Sequence, residues 1–475
     1  VLIQAVATVF QGRGYLPGSA IKGNLRGWLE RSGSPVVLME KLFGSRDQQK
    51  VDAQGGCVEF WDARAVRVEN IPLTPPHWDP DRLTGVVASV AINRQTRSAA
   101  DNKLFHQEYV PPGIGFEVTI TGQNLEDEDV ALLLNGLERG CAGDDPMLLG
   151  AVSANNWGRC SWERSEIRFL DATGVKRWIS GGAGTVGYTA LEPLSEDKVN
   201  ALLGLARGYP ASGNGCRLVV NVTLAFDAPF LVNDRLRVSD DTDDHLPRRN
   251  EEGRIVLPAS SFRGALRSQA ERIIRTHSAE ACGPESPCKP INEILQAADE
   301  LCPACSIFGA GGWQSLLHIS DFIAVTEPQI LRQEFVAIDR FTGGAANKKK
   351  FNARSALNPV LKGTITLNPA KLTPSDLGLL VLLFRDLIEG DITFGFGSAK
   401  GYGACRAGVD VTIPHVSRAA LDKYGLLQIV ESVGYEMPEA TSWQPEPIED
   451  ERTRNLLTVL VDAFSTRMAE EVTHA

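Results

Sequence analysis

One stretch of about a dozen residues occurs twice in this chain. The first copy reads LPGSAIKGNLRG (residues 16–27) and the second reads LPASSFRGALRS (residues 257–268). Four more pairs follow in the same order: KLFG and SIFG, VEFWDA and LHISDF, VAINRQT and VAIDRFT, LGAVSANNWGRC and FGFGSAKGYGAC. Paired positions lie 241 to 265 residues apart. Ordered matches at a nearly constant offset indicate a tandem duplication of a unit of roughly 200 residues.

The hydrophobic pattern of the second copy predicts the fold of the unit. Alternating, β-branched stretches predict strands, and apolar residues three and four apart predict amphipathic helices. The predicted order is strand 216–226, helix 259–277, strand 316–325, strand 361–368, helix 373–389 and a last strand or hairpin ending near 413. This order, β-α-β-β-α-β, is that of the ferredoxin-like fold. The first copy repeats it without the opening strand, since only 16 residues precede Pro17.

The chain is therefore predicted to be an α+β protein with two tandem ferredoxin-like domains. The predicted organisation is a first domain over 1–162, a linker or insertion over 163–215, a second domain over 216–413 with a cysteine-rich insertion at 280–306, and an acidic linker with a C-terminal docking helix over 414–475.

Composition excludes several classes of protein. No apolar run approaches the ~20 residues that cross a bilayer, so we expect no membrane association. The nine cysteines, four of them within 282–305, do not resemble a secreted disulfide framework, and we expect a reducing cytoplasm. A net charge of −11 argues against general affinity for nucleic acid, although basic residues cluster locally.

The repeated stretch opens a helix in each unit. A helix N-terminus presents unpaired N–H groups and a positive dipole end, which suit phosphate. Lys22 and Arg26, like Arg263 and Arg267, are four residues apart and lie on one helix face. The alternative is a capped surface helix with solvated basic side chains. Because the stretch recurs, phosphate binding is the preferred interpretation.

Four cysteines have the spacing of a metal site: Cys282-x5-Cys288-x13-Cys302-x2-Cys305. Two thiolate pairs, one from a C-x-x-C turn, fit a structural tetrahedral zinc site. The alternative is four reduced thiols in the core. Proline and glycine around the cysteines favour zinc.

An acidic loop, SDDTDDHLPRRNEEG (239–253), precedes the second repeated stretch. Acids beside bound RNA could hold Mg²⁺ or position an attacking 2′-hydroxyl, and a solvated acidic turn is the alternative. The segment DRFTGGAANKKK (339–350) places basic residues on a flexible loop, as a nucleic-acid-binding finger would.

Taken together, these motifs resemble the RAMP superfamily of CRISPR systems, in particular the backbone subunits of type III effector complexes. Two fused units are similar to the multi-unit chains of the III-D and III-E variants. The resemblance implies RRM-like domains that bind guide RNA (crRNA), thumbs at about 70–112 and 326–359 that flip bases of the guide–target duplex, and other effector subunits as partners. It also agrees with a zinc site between the first helix and the next strand. The implied RNA-binding residues are Ser19, Lys22, Arg26, Arg94, Ser260, Ser261, Arg263, Arg267, Arg340 and Lys348.

The resemblance also implies an endoribonuclease that cuts the target RNA in the presence of Mg²⁺ or Mn²⁺. In such subunits an acid in the loop before the repeated helix makes the cut. Asp244 lies nearest that place and Asp243 is the second candidate. The alternatives are a crRNA scaffold whose partners cleave the target, and a guide-processing ribonuclease, for which His245 is the one histidine in a plausible place.

Overall fold

The computed structural model describes most of the chain, in the following ranges: 2–4, 14–45, 54–66, 74–93, 98–142, 146–163, 166–180, 191–209, 218–237, 243–277, 281–282, 288, 301–367, 372–412, 421–422, 425–435 and 449–474.

The described helices are α1 (Gly18–Arg31), α2 (Val36–Phe43), α3 (Asp127–Gly140), α4 (Ala172–Ser180), α5 (Glu196–Arg207), α6 (Ala259–Thr276), α7 (Pro303–Phe308), α8 (Pro374–Glu389), α9 (Leu427–Ser432) and α10 (Glu451–His474). Two short 3₁₀ turns span Ser153–Asn155 and Ser398–Lys400.

The described strands are β1 (Leu2–Gln4), β2 (Tyr15–Leu16), β3 (Val58–Phe60), β4 (Ala63–Val66), β5 (Gly85–Ile92), β6 (Ala99–Tyr109), β7 (Gly115–Glu117), β8 (Ile120–Gly122), β9 (Arg168–Phe169), β10 (Glu192–Pro193), β11 (Leu218–Phe226), β12 (Val256–Leu257), β13 (Leu317–Ile319), β14 (Phe322–Ala324), β15 (Ile330–Ile338), β16 (Ala345–Ala356), β17 (Val360–Leu367) and β18 (Cys405–Thr412).

The second unit has the predicted ferredoxin-like sheet. Its strands run in the order β12-β14-β17-β11-β18, and β13 also pairs with β17. All of these pairs are antiparallel. Helices α6 and α8 pack on one face, where α6 buries Phe262, Leu266, Ala270 and Ile274, each four residues after the last. This spacing keeps one apolar stripe on the core.

The first unit repeats part of this sheet. In the first unit, β4 lies between β2 and β7, and β3 pairs with β8. The corresponding arrangement in the second unit is β14 between β12 and β17, with β13 paired to β17. Helices α1 and α3 are the counterparts of α6 and α8. Within the described residues, the first unit has no counterpart of β11 or β18.

Each unit carries a long hairpin between its second and third core strands. These hairpins are β5–β6 and β15–β16, within the segments predicted as thumbs. Their pairing registers shift at matching places, between Val90 and Ile92 and between Val336 and Ile338. Because the hairpins are exposed on both faces near their tips, they lack the apolar alternation that predicts a strand.

The C-terminal helix α10 packs against α8. Phe464 and Met468 are buried in the core of the second unit. The two helices approach closely at Gly378, where a Cβ would lie 2.1 Å from the Leu460 carbonyl oxygen. Helix α8 begins with the predicted cap, since the Thr373 hydroxyl accepts a hydrogen bond from the Asp376 N–H at 3.2 Å.

The segment between the units is an ordered insertion where it is described. Helix α5 packs on α3 through a small apolar cluster of Ala131, Leu134, Leu202 and Ala206. None of the described helices has the length and apolar character needed to span a bilayer.

Candidate RNA-binding and cleavage site

The repeated helices α1 and α6 begin in the same way. Ser260 and Ser261 lie inside the first turn of α6, and Pro258 occupies the cap position. A carboxylate from the sheet replaces the missing cap. Asp321 accepts from the Ala259 N–H at 2.7 Å, and Asp62 accepts from the Gly18 N–H at 2.8 Å. The first amide of each helix is therefore already paired, and Ser19, Ser260 and Ser261 remain exposed on the first turn.

The four basic residues of the repeat do not share one role. Arg26 pairs with Glu30 at 3.0 Å, and Arg267 pairs with Glu271 at 3.1 Å. The same i,i+4 pair therefore recurs in both units. Lys22 is half-buried at the position that corresponds to Arg263.

Arg263 joins the two units. Its guanidinium donates to the Ser315 hydroxyl at 2.6 Å and the Leu317 carbonyl at 2.7 Å within its own unit. Across the joint it donates to the Asn155 side chain at 3.1 Å and to the Ala154 carbonyl. Burial lowers the pKa of Arg263. Because the guanidinium of Arg263 already donates to these protein groups, an RNA phosphate could bind it only by displacing them.

A wide groove runs between the units. The first turn of α6 and the open face of the second sheet both line it. Among the described residues of β11, β17 and β18, that face carries polar and small side chains and no aromatic ring, with Asn221, Thr223, Lys362 and Thr364 at its centre. Typical RRM domains stack bases on sheet aromatics. This groove instead suits contacts to an RNA backbone.

Asp243 is bound to the root of the second thumb. Its carboxylate contacts Arg332 at 3.1 Å and Arg354 at 2.6 Å, one from each strand of the hairpin. The Asp243 side chain is only 4 % exposed. Since both oxygens face guanidinium groups, Asp243 has the surroundings of a structural anchor.

Asp244 is the exposed acid of the pair. It forms two reciprocal hydrogen bonds with Asn352 of β16: the Asp244 N–H donates to the Asn352 side chain at 3.0 Å, and the Asn352 N–H donates to Asp244 Oδ2 at 2.8 Å. The loop is thereby fixed along the thumb with one carboxylate presented to solvent. Of the two predicted catalytic candidates, Asp244 has the accessible geometry.

The next residue, His245, belongs to a closed circle of five aromatic side chains. The five rings, with neighbouring centroids 4.8 to 6.1 Å apart, belong to His245, Phe351, Phe335, Tyr402 and Phe396. They come from the acidic loop, the thumb and the glycine-rich loop. Burial lowers the pKa of His245, against a smaller opposing effect of Asp244.

Lys400 places its ammonium over this ring system, 4.8 Å from the centroids of Phe351 and Phe396 and 5.7 Å from that of Phe335. Cation–π attraction holds an exposed charge beside the candidate loop. This cluster was not predicted, because its members are spread over more than 150 positions of the sequence. The one sign of the cluster in the sequence is the pair of aromatic residues beside the glycines of FGFGSAKGYG, Phe396 and Tyr402.

The tip of the second thumb is a tight turn. The Asp339 carboxylate accepts from the N–H groups of Phe341 and Thr342, both at 2.9 Å. Phe341 is fully exposed, and Arg340 and Lys348 are exposed beside it. Arg94, the predicted counterpart of Arg340, lies outside the described residues.

The four predicted zinc ligands come together. The sulfur atoms of Cys282, Cys288, Cys302 and Cys305 all lie within 4.8 Å of one another. Cys282 Sγ lies 3.1 Å from Cys305 and 3.6 Å from Cys302. Sulfurs bound to one tetrahedral zinc at 2.3 Å are about 3.8 Å apart, so the cluster could bind zinc.

Arg267 supports this cluster from outside. It donates to Cys305 Sγ at 3.0 Å and to the Gly309 carbonyl at 2.8 Å. The hydrogen bond to Cys302 and burial raise the pKa of Cys305, while the Arg267 charge acts in the opposite direction. A cation beside the sulfurs stabilises thiolates, the form that binds metal. Arg267, predicted to contact RNA, is thus placed beside the thiols.

The comparisons with known proteins agree with this architecture. No curated protein matches the chain. The profile of the RAMP superfamily matches residues 3–161 and 175–406, one region for each repeated unit. Membership implies a CRISPR-associated RNA-binding subunit whose partners are crRNA and other effector subunits. The chain belongs to the RAMP superfamily and carries two fused RAMP units.

Proposed function

We propose that this chain is a guide-RNA-binding backbone subunit of a type III effector complex, and that its second unit cuts complementary target RNA at Asp244. The observation that carries the cleavage proposal is the position of Asp244. It is an exposed carboxylate, locked by two hydrogen bonds to the root of a thumb. A thumb that distorts a guide–target duplex would bring the target backbone to this acid.

RNA supplies its own nucleophile, the 2′-hydroxyl, so the site needs alignment and charge stabilisation more than a protein nucleophile. Asp244 is suited to accept the proton of that hydroxyl or to hold a divalent cation. Mg²⁺ commonly binds one or two carboxylates together with substrate phosphates, where it neutralises charge, and one exposed carboxylate fits this arrangement. Of the nearby arginines, Arg249 is paired with Glu327 at 2.6 Å. Arg248 lines the groove and is the candidate to neutralise the phosphate.

The guide is proposed to follow the first turns of α1 and α6. Ser19, Ser260 and Ser261 are exposed there, and serine hydroxyls are common donors to RNA phosphates. Small residues continue this surface, since a Cβ added at Gly23 or Gly264 would meet no atom within 4 Å. An RNA backbone can therefore approach both helices closely. Lys22, Arg340 and Lys348 remain proposed phosphate contacts.

The cysteine cluster is proposed to hold one structural zinc. The four sulfurs have a closed Cys₄ set with no further ligand among the described residues. Such a set leaves no open position for substrate, so zinc would stabilise the insertion that packs on α6.

The Asp244→Ala variant tests the cleavage proposal. Assembled with guide RNA and partner subunits in Mg²⁺, it should lose one target cut, while guide and target binding stay unchanged. The expected product of the intact site ends in a cyclic phosphate. Glu252→Ala is a matched control, because Glu252 is an exposed acid of the same loop. If Asp244→Ala cuts at the wild-type rate, the chain is a crRNA scaffold and its partners do the chemistry.

A further inference from the structure

Two thiols of the first unit lie in contact at the end of α3. Cys141 is the C-cap residue of this helix, and Cys160 directly follows the bridge between Leu148 and Arg159. Their sulfur atoms are 3.6 Å apart. Both side chains are half-buried and line the groove between the units. A small solute in the groove therefore has access to both sulfurs.

Only one cysteine of this pair belongs to the repeat. Cys160 ends the last repeated stretch of the first unit, and Cys405 ends that of the second. Helix α8, the counterpart of α3, contains no cysteine, and Gly390 occupies its C-cap. Cys405 is only 3 % exposed, and burial raises its pKa to about 12. Core packing therefore explains the shared cysteine, but it does not explain the second thiol that the first unit places beside it.

The two thiols of the pair have different reactivity. A hydrogen bond from Cys141 lowers the pKa of Cys160 to about 7, although burial acts in the opposite direction. The same hydrogen bond, together with burial, raises the pKa of Cys141. A thiol with this pKa is about half ionised at neutral pH, and the thiolate is the form that acts as a nucleophile. Cys160 is thus suited to attack an oxidant first, with Cys141 held beside it as a second thiol.

We propose that Cys141 and Cys160 form a peroxide-reactive site that converts reversibly to a disulfide. A disulfide requires the two sulfurs to approach by about 1.5 Å from their present distance. Because each residue lies at the end of an element, rotation about the two Cα–Cβ bonds can supply this movement. The site goes beyond the RNA-binding function proposed above and uses none of its residues.

The oxidation proceeds in two steps. The Cys160 thiolate attacks one oxygen of hydrogen peroxide, the O–O bond breaks, and Cys160 becomes a sulfenic acid while the departing hydroxide takes up a proton. The Cys141 sulfur then attacks the sulfenic sulfur, the S–O bond breaks, and the departing hydroxide leaves as water with the Cys141 proton. In total, two thiols and one peroxide give one disulfide and two waters. A dithiol reductant reverses the reaction by thiol–disulfide exchange.

The disulfide would close the segment from Cys141 to Cys160 into a covalent loop. This loop contains the 3₁₀ turn Ser153–Asn155, which contacts Arg263 of the second unit. A crosslink restricts the unfolded chain, so the oxidised protein should melt several degrees higher than the reduced protein.

Peptide mapping by mass spectrometry tests the proposal on the folded full chain, treated with a few equivalents of hydrogen peroxide. Wild type is expected to form a Cys141–Cys160 disulfide that dithiothreitol removes. Cys141→Ser should instead accumulate a sulfenic acid on Cys160, which dimedone traps. Cys160→Ser should leave Cys141 as a thiol. Cys405→Ser changes the repeat-related cysteine and is the matched control, which should form the disulfide like wild type.

The wild-type map needs no variant, so it decides the proposal even if a variant fails to fold. Treated wild type without this disulfide overturns the proposal, as does a disulfide that joins either residue to another cysteine instead. Dimedone on Cys141 of Cys160→Ser, and none on Cys160 of Cys141→Ser, would contradict the assigned roles. None of these results bears on guide binding, which is measured separately with RNA.

Discussion

Asp62 and Asp321 each cap a helix from which they are distant in the sequence. Each comes from the turn between two short strands and accepts from the first amide of a helix, 44 and 62 positions away in sequence. Burial raises the pKa of Asp321. The repeated stretch predicted the helix starts correctly. It could not show that its serines lie inside the helix, since the capping groups are remote in sequence.

Removal of this cap should destabilise the second unit. Asp321→Ala leaves the Ala259 N–H unpaired and is expected to lower the free energy of unfolding by about 1–2 kcal/mol. Asp321→Asn keeps an acceptor oxygen and loses the charge that burial disfavours, so it should unfold close to wild type. Urea denaturation of both variants is the measurement. Equal losses in Asp321→Ala and Asp321→Asn would show that the charge, and not the acceptor, matters.

At the scale of elements, the second thumb, the acidic loop and the glycine-rich loop form one assembly. Asp243 fixes the loop to both thumb strands through Arg332 and Arg354, and the ring of aromatic side chains around His245 brings in the glycine-rich loop. A duplex that moved the thumb would therefore move Asp244 with it. The sequence shows that the acidic loop directly precedes α6. It does not show that the loop pairs with the thumb, because contacts between distant segments leave no local sequence pattern.

The cysteine-rich insertion, with its proposed zinc, is the other element with a direct test. Wild-type protein is expected to contain about one zinc per chain by elemental analysis, and Cys302→Ser with Cys305→Ser should lose it. Loss of the metal should also lower the melting temperature, because metal binding contributes to folding. Cys57→Ser, which changes a half-buried cysteine of the first unit, should keep the zinc. Unchanged zinc in the double variant would mean that the four thiols are only neighbours.

At the scale of the whole molecule, the internal repeat was the most informative feature of the sequence. It predicted two ferredoxin-like units and the places of α1 and α6. The repeat predicted phosphate binding for all four of its basic residues, because identical spacing does not show which groups each side chain contacts. Arg263 faces the other unit and Arg267 faces the cysteines. The packing of α5 on α3 was not predicted either, because the composition of residues 163–215 is typical of a linker.

Nuclease protection of bound guide shows whether both units bind one continuous guide RNA, as proposed. Gly23→Glu and Gly264→Glu place a carboxylate at matching, open positions of α1 and α6. Each should repel phosphate, weaken guide binding about tenfold and remove protection from one end of the guide. The two variants should affect opposite ends, and Gly204→Glu, at an open position of α5, should protect the full length. If both variants leave the protected stretch unchanged, or shorten the same end, the two helices do not hold successive stretches of one RNA.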